Sequence, residues 1–191
     1  MKDLEKIKQI LINVDMVNGF VNEGAMHDKY IRHTIPIQIK LMEEFEENEE
    51  RLNIIIKDTH KENCREFNRY PVHCVENTEE SELVDELKSF ENENSIVFKK
   101  NSTSAIYAEG FVDTINALKN LEKVVIVGCC TDICVLNLAI PLQNYFDQID
   151  RDIKITIPKD AVETYDAPSH SREEYNQMAF KLMHQAGIEI I

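Results

Sequence analysis

Hydrophobic positions along this chain fall into short runs, rich in Ile, Val and Leu, separated by longer stretches of mixed polarity. The runs at 7–14, 52–57, 95–99, 123–127, 152–157 and 188–191 read as strands, because β-branched residues pack well on a pleated surface. Between them, 31–48, 81–90, 111–120, 132–146 and 172–186 read as helices. Near-continuous apolar strands alternating with helices predict a parallel sheet covered on both faces. The expectation is an α/β architecture: a three-layer Rossmann-like fold with a six-stranded, mostly parallel sheet and helices on both faces. With 191 residues and no internal repeat or linker, the chain reads as a single domain over 1–191.

This architecture has a chemical consequence. An open parallel sheet binds ligands outside the carboxyl ends of its strands, where the strand order reverses. Asp15, Asp58 and Lys100 close three of the expected strands, and Cys134 lies just past a fourth. Four reactive side chains are thereby expected on one rim. The longest irregular stretch, 59–78, exceeds ordinary loop length, and such loops are commonly functional.

Composition narrows the partners. Twenty-one basic against 35 acidic residues leave a formal net charge of −14, which disfavours nucleic acid and anionic membranes, since both need clustered Lys and Arg. No apolar stretch approaches the roughly 18 residues of a membrane span. The first ten residues alternate charge with single hydrophobes, unlike a secretory leader, so a cytoplasmic setting is expected. Five cysteines, at 64, 74, 129, 130 and 134, do not form the pattern of a disulfide framework. Packing, metal binding and catalysis remain as their uses.

The segment Gly128-Cys129-Cys130-Thr131-Asp132-Ile133-Cys134-Val135 follows a strand. Thr131 and Asp132 are capping residues, so a helix should begin there with Cys134 in its first turn. A helix N-terminus favours the thiolate, and its free amides could hold an oxyanion. Cys129 and Cys130 read more simply as small buried hydrophobes. The first strand runs into Asp15-Met16-Val17-Asn18-Gly19-Phe20, and the third into Lys99-Lys100-Asn101-Ser102-Thr103-Ser104-Ala105. Adjacent strand residues face opposite ways, so only one of the two lysines can enter a site. Asp58 at the end of the second strand, with His60, Glu66 and His73 in the long loop, are all good ligands for zinc, iron or manganese.

Together these segments resemble the isochorismatase-like cysteine hydrolases, in the nicotinamidase/pyrazinamidase branch. The resemblance spans all the strand–helix units, and its diagnostic residues occupy four short segments. It implies Cys134 as nucleophile, Asp15 as general base and Lys100, four residues before a Ser-Ala pair, as the catalytic lysine. It implies a cis peptide between Cys129 and Cys130, with the amides of Cys130 and Cys134 as oxyanion donors. Asp58, His60, Glu66 and His73 become ligands of one divalent transition metal, zinc first, with iron or manganese as alternatives. Phe20 and Tyr70 become the aromatic walls for a small-molecule amide, nicotinamide foremost. The family also implies a homo-oligomer. Two departures stand out: Ile106 replaces a usual Phe at the substrate wall, and Asn77 replaces a usual Gly in a turn, where Asn tolerates a left-handed backbone. The remaining histidines, His27, His33, His170 and His184, read as surface or packing residues. Two other readings stay open: an amidase for a carbamoyl or ureido substrate, and a non-catalytic protein with structural zinc on Cys64, Cys74, His60 and His73.

Overall fold

A computed structural model describes residues 2–191. All six expected strands are present: β1 (Gln9–Val14), β2 (Arg51–Asp58), β3 (Ser95–Lys100), β4 (Lys123–Cys129), β5 (Lys154–Ile157) and, at the end of the chain, β7 (Glu189–Ile190). A seventh, β6 (Val162–Glu163), lies beside the end of β4. Two residues make no hydrophobic run, so the expected count of six falls one short. The order is β3-β2-β1-β4-β5-β7, and each pairing is parallel.

The period of two along each strand sorts side chains between the faces. Ile10, Ile12 and Val14 of β1, with Ile54 and Ile56 of β2, join one core. Leu11 and Ile55, one position out of phase, join the other. The first core is closed by α3 (Phe111–Ala117), α4 (Leu136–Gln148) and α5 (Arg172–Gln185), through Phe111, Leu138, Phe146 and Met183. The second is closed mainly by α2 (Ile35–Glu46), through Ile35, Met42 and Phe45. A short helix, α1 (Asn18–Val21), follows β1 and is buried along its length. No helix among the described residues is long and apolar enough to cross a membrane.

The helix expected over 81–90 is instead a pair of 3-10 turns, Glu79–Ser81 and Asp85–Phe90. Its backbone groups are taken elsewhere. The Asn18 amide donates to the Glu82 carbonyl at 2.9 Å and the Val84 amide to the Met16 carbonyl at 3.0 Å. Those tertiary bonds override a helical pattern that propensity alone would have favoured.

The chain runs outward from β1 through β2 to β3, then returns to place β4 on the other flank of β1. The switch point therefore lies at the carboxyl ends of β1 and β4. There Gly128 sits opposite Val14 with φ +116°, and a Cβ at that position would fall 2.1 Å from the Val14 carbonyl oxygen. Only glycine allows the two strand ends to close this tightly.

Candidate active site

Asp15 follows the last residue of β1 in a left-handed conformation, φ 54°. Its amide still donates to the Ile56 carbonyl of β2 at 3.0 Å, so the backbone is anchored while the side chain turns under the sheet's rim. Asp is among the residues that tolerate this region. On β3, Lys100 pairs in register with Asp58 of β2. Its Nζ lies 2.7 Å from Asp58 Oδ1, 2.9 Å from Asp15 Oδ2 and 3.7 Å from Cys134 Sγ. Lys99, one residue earlier, points to solvent beside Glu76. The structure thus brings Asp15, Lys100 and Cys134 into one buried cluster.

Electrostatics set the resting charges. Burial raises the Asp15 carboxyl to about 6, with Lys100 opposing the rise. Burial also works against the Lys100 ammonium, but Asp15 and Asp58 more than reverse it and hold the lysine well above its usual range. For Cys134, burial pushes the thiol well above the ordinary cysteine range, and Lys100 offsets this only in part. The sequence expectation of an acidified thiol is therefore reversed. Amides at a helix terminus favour a thiolate, but the loss of water around a side chain only 7% exposed acts against it and is the larger effect. A neutral thiol needs a base at the moment it reacts. Asp15 offers one: its carboxylate lies within hydrogen-bond reach of the Cys134 thiol, with the Lys100 ammonium 2.9 Å from Oδ2.

The turn carrying Cys134 also differs from expectation. Thr131–Val135 forms a π-helical turn ahead of α4, and no side chain caps it. The amides of Ile133 and Val135 both donate to the Cys130 carbonyl at 3.1 Å. The Cys129–Cys130 peptide is cis, and the Cys129 thiol donates to the Asp15 carbonyl at 3.2 Å.

Beside this cluster, Asp58, His60 and His73 converge. Asp58 Oδ2 lies 3.0 Å from His60 Nε2 and 3.3 Å from His73 Nε2, and the two nitrogens are 3.1 Å apart. Three ligands bonded to one ion at about 2.0–2.2 Å sit at such separations. The histidine tautomers agree. His73 Nδ1 lies 2.7 Å from the Pro71 carbonyl and His60 Nδ1 3.4 Å from Asn101 Oδ1, so both Nδ1 atoms face acceptors and both Nε2 lone pairs face each other. Two lone pairs aimed together beside a carboxylate are a cation's donor set, oriented by outer hydrogen bonds in the usual way. The residues present therefore fit a divalent metal.

Glu66 is not part of this triangle. Its Oε1 accepts from Thr103 at 2.9 Å, leaving it on the wall of the adjoining cavity. The alternative zinc set is not assembled either: Cys64 Sγ faces the Asn101 carbonyl, and neither Cys64 nor Cys74 joins the three convergent ligands among the described residues. His73→Ala is expected to weaken transition-metal affinity by about 10²-fold or more, read by equilibrium dialysis with elemental analysis. Unchanged metal content in that variant would remove the site.

A cavity of about 370 Å³ opens over both clusters, with Cys134, Asp58, His73, Phe20 and Tyr70 on its walls. Phe20 and Tyr70 approach the His73 ring at 5.5 and 6.4 Å between centroids. Ile106 does not reach the cavity. Half-buried in the turn Ala105–Tyr107, it packs against the core, and Thr103 and Ile133 line the wall instead. Asn77 adopts φ 64°, so the turn that lacks glycine keeps its left-handed residue. Sequence reasoning missed Tyr165, which lines the cavity from the segment after β6, and Phe67, whose ring lies 5.3 Å from His60.

Residues 9–191 match the Isochorismatase domain, and the chain belongs to that family of hydrolases. Its relatives there include amidases of the nicotinamidase and pyrazinamidase kind. Nicotinamidase 1 of Arabidopsis thaliana is 29% identical over 198 residues, covering 93% of this chain and 80% of the plant protein. The pyrazinamidase of Pyrococcus horikoshii, solved in complex with zinc, superposes with a TM-score of 0.76 at 25% identity, covering 96% of this chain and 98% of that one. The N-carbamoylsarcosine amidase of Thermoplasma acidophilum shares the fold, with a TM-score of 0.75 at 23% identity over 96% of this chain and 95% of that one.

Proposed function

We propose that this protein is a nicotinamidase, hydrolysing nicotinamide to nicotinate and ammonia through a thioester on Cys134. The observation that carries this reading is the meeting, in one cavity, of the Asp15–Lys100–Cys134 cluster with the Asp58–His60–His73 triangle between aromatic walls. A cysteine site alone would suit many amides; a metal site beside it selects an amide that carries a second donor atom.

In this mechanism Asp15 takes the Cys134 proton as Sγ attacks the carboxamide carbon. The carbonyl oxygen gains the charge and rests on the amides of Cys130 and Cys134. Protonated Asp15 returns its proton to the departing nitrogen, ammonia leaves, and the thioester remains. Asp15 then takes a proton from water, whose oxygen attacks the thioester; Sγ departs and is reprotonated. Lys100 keeps Asp15 ionised against burial and balances the charge that moves through the cluster. Phe20 and Tyr70 confine the ring. Zinc held by Asp58, His60 and His73, or iron or manganese on the same donors, would supply a Lewis acid for the pyridine nitrogen and so orient the ring.

The test is ammonia release over a panel of nicotinamide, pyrazinamide, benzamide and a carbamoyl amine. Nicotinamide is expected to exceed benzamide by about tenfold or more in kcat/KM, since benzamide fills the slot but lacks the donor atom. Pyrazinamide keeps a nitrogen at the same ring position and should be accepted. After chelation the nicotinamide advantage should collapse. Equal rates for nicotinamide and benzamide in metal-loaded protein would rule out the ring-nitrogen contact, and a faster carbamoyl amine would move the activity to that substrate class.

A further inference from the structure

His170 lies outside the catalytic cluster and the metal triangle, yet it is buried with both ring nitrogens beside oxygen partners. Its ring is sandwiched between Tyr165 and Tyr175, with centroids 3.9 and 3.7 Å away and interplanar angles of 10° and 28°. Its Nε2 lies 2.9 Å from Asp132 Oδ2, and its Nδ1 lies 3.1 Å from the Tyr165 carbonyl. Asp132 belongs to the π-helical turn that carries Cys134, two residues on. Tyr165 lines the cavity, and Tyr175 belongs to α5. One imidazole therefore touches three pieces at once: the nucleophile turn, the cavity wall after β6, and the outer helix.

The segment it holds has few regular bonds of its own. Ala167 and His170 exchange a pair of backbone hydrogen bonds, 3.0 and 2.9 Å, closing a small turn that presents Tyr165. At its outer edge the Asp166 amide donates to Asp28 Oδ2 at 3.0 Å, and Arg172 pairs with the same carboxylate. These outer contacts fix the rim, whereas His170 reaches inward to Asp132 of the nucleophile turn. That turn lacks a side-chain cap; Lys100 reaches it at Cys134, and the Asp132–His170 pair holds it from the side of the cavity wall.

We propose that His170 is a positioning residue for the reaction, which sets the angle of the Cys134 turn through Asp132 and the Tyr165 wall through stacking. The proposal rests on the amide-hydrolase reading above, and it assigns two separable effects to one ring. The hydrogen bond acts on the nucleophile and hence on kcat. The stack acts on the wall of the cavity and hence on KM.

Two variants divide these effects. His170→Phe keeps an aromatic plane between the tyrosines but cannot donate to Asp132. It is expected to lower kcat by about tenfold or more, since small misplacements of a reacting group are costly, with KM nearly unchanged. His170→Gln keeps an amide donor for Asp132 but loses the stack. It is expected to raise KM several-fold while largely retaining kcat. A ring that merely stabilised the fold would lower thermal stability in both variants and leave kcat and KM of the folded fraction at wild-type values; that outcome overturns the proposal. Hydrogen exchange on the wild-type protein supplies a check that needs no variant and no substrate. The amides of 131–135 and 165–170 should open as one unit, and independent opening would also overturn it. If wild-type protein fails to hydrolyse nicotinamide, the kinetic comparison uses whichever panel amide is turned over, and the exchange result stands by itself.

Discussion

Cys134→Ala is expected to abolish ammonia release, by about 10⁴-fold or more, while leaving the fold intact. Losses of that order or larger follow removal of a covalent nucleophile, because the remaining binding groups give only residual catalysis. The side chain is small and only 7% exposed, and its loss removes one sulfur from the edge of a core held by much larger residues. Circular dichroism and metal content should therefore match wild type. Cys129→Ala, by contrast, removes a thiol bonded to the Asp15 carbonyl and should act through packing, with appreciable turnover kept. Retention of full activity in Cys134→Ala would refute the thioester route outright.

The next largest effects belong to Asp15. Asp15→Asn keeps the shape but cannot take a proton, and a loss of about 10²–10⁴-fold in kcat is expected. The wild-type pH profile should report the same group. With the carboxyl raised to about 6 by burial, only the ionised form above that pH can act as base. Thus kcat/KM should fall about tenfold per pH unit below about 6. Lys100 opposes the rise, so Lys100→Met should move this limb to higher pH as well as lowering the plateau; Lys99→Ala should do neither. Stability runs the other way. A folded-state value above the ordinary 3.8 contributes stability that is fully present below about 3.8 and lost as pH rises through about 6. The enzyme would hold Asp15 ionised at neutral pH at some cost to folding. A flat pH profile between 5 and 7 would transfer the base role to another group.

The strands were legible because their β-branched runs are buried on both faces, and the rim because Asp15, Asp58 and Lys100 sit at or just past strand ends. Lys100 could be preferred over Lys99 on the resemblance, and the structure sends the two to opposite environments. What was hidden depended on tertiary bonds that no local pattern carries. The segment after Glu79 lost its helix to hydrogen bonds from the loop behind β1. β6 exists only as an extension alongside β4. His170 lies in an irregular turn, and its value comes from a carboxylate 38 residues away. Ile106 was placed at the wall by analogy, whereas it lies half-buried against the core, off the cavity's lining. The Cys134 thiol was misjudged because acidity was inferred from backbone direction, and desolvation is set by everything packed around it.

The Asp58 carboxylate divides its oxygens, Oδ1 toward Lys100 and Oδ2 toward His60 and His73. The registered pair Asp58–Lys100 across β2 and β3 thus couples the nucleophile cluster and the ion cradle through one carboxylate. A lineage shedding the ion would leave a lone carboxylate beside the lysine, with its second oxygen facing two histidines that no longer have a purpose. A lineage shedding the lysine would leave the cradle with an unbalanced anion. A substitution at either half is therefore felt by the other through the shared carboxylate.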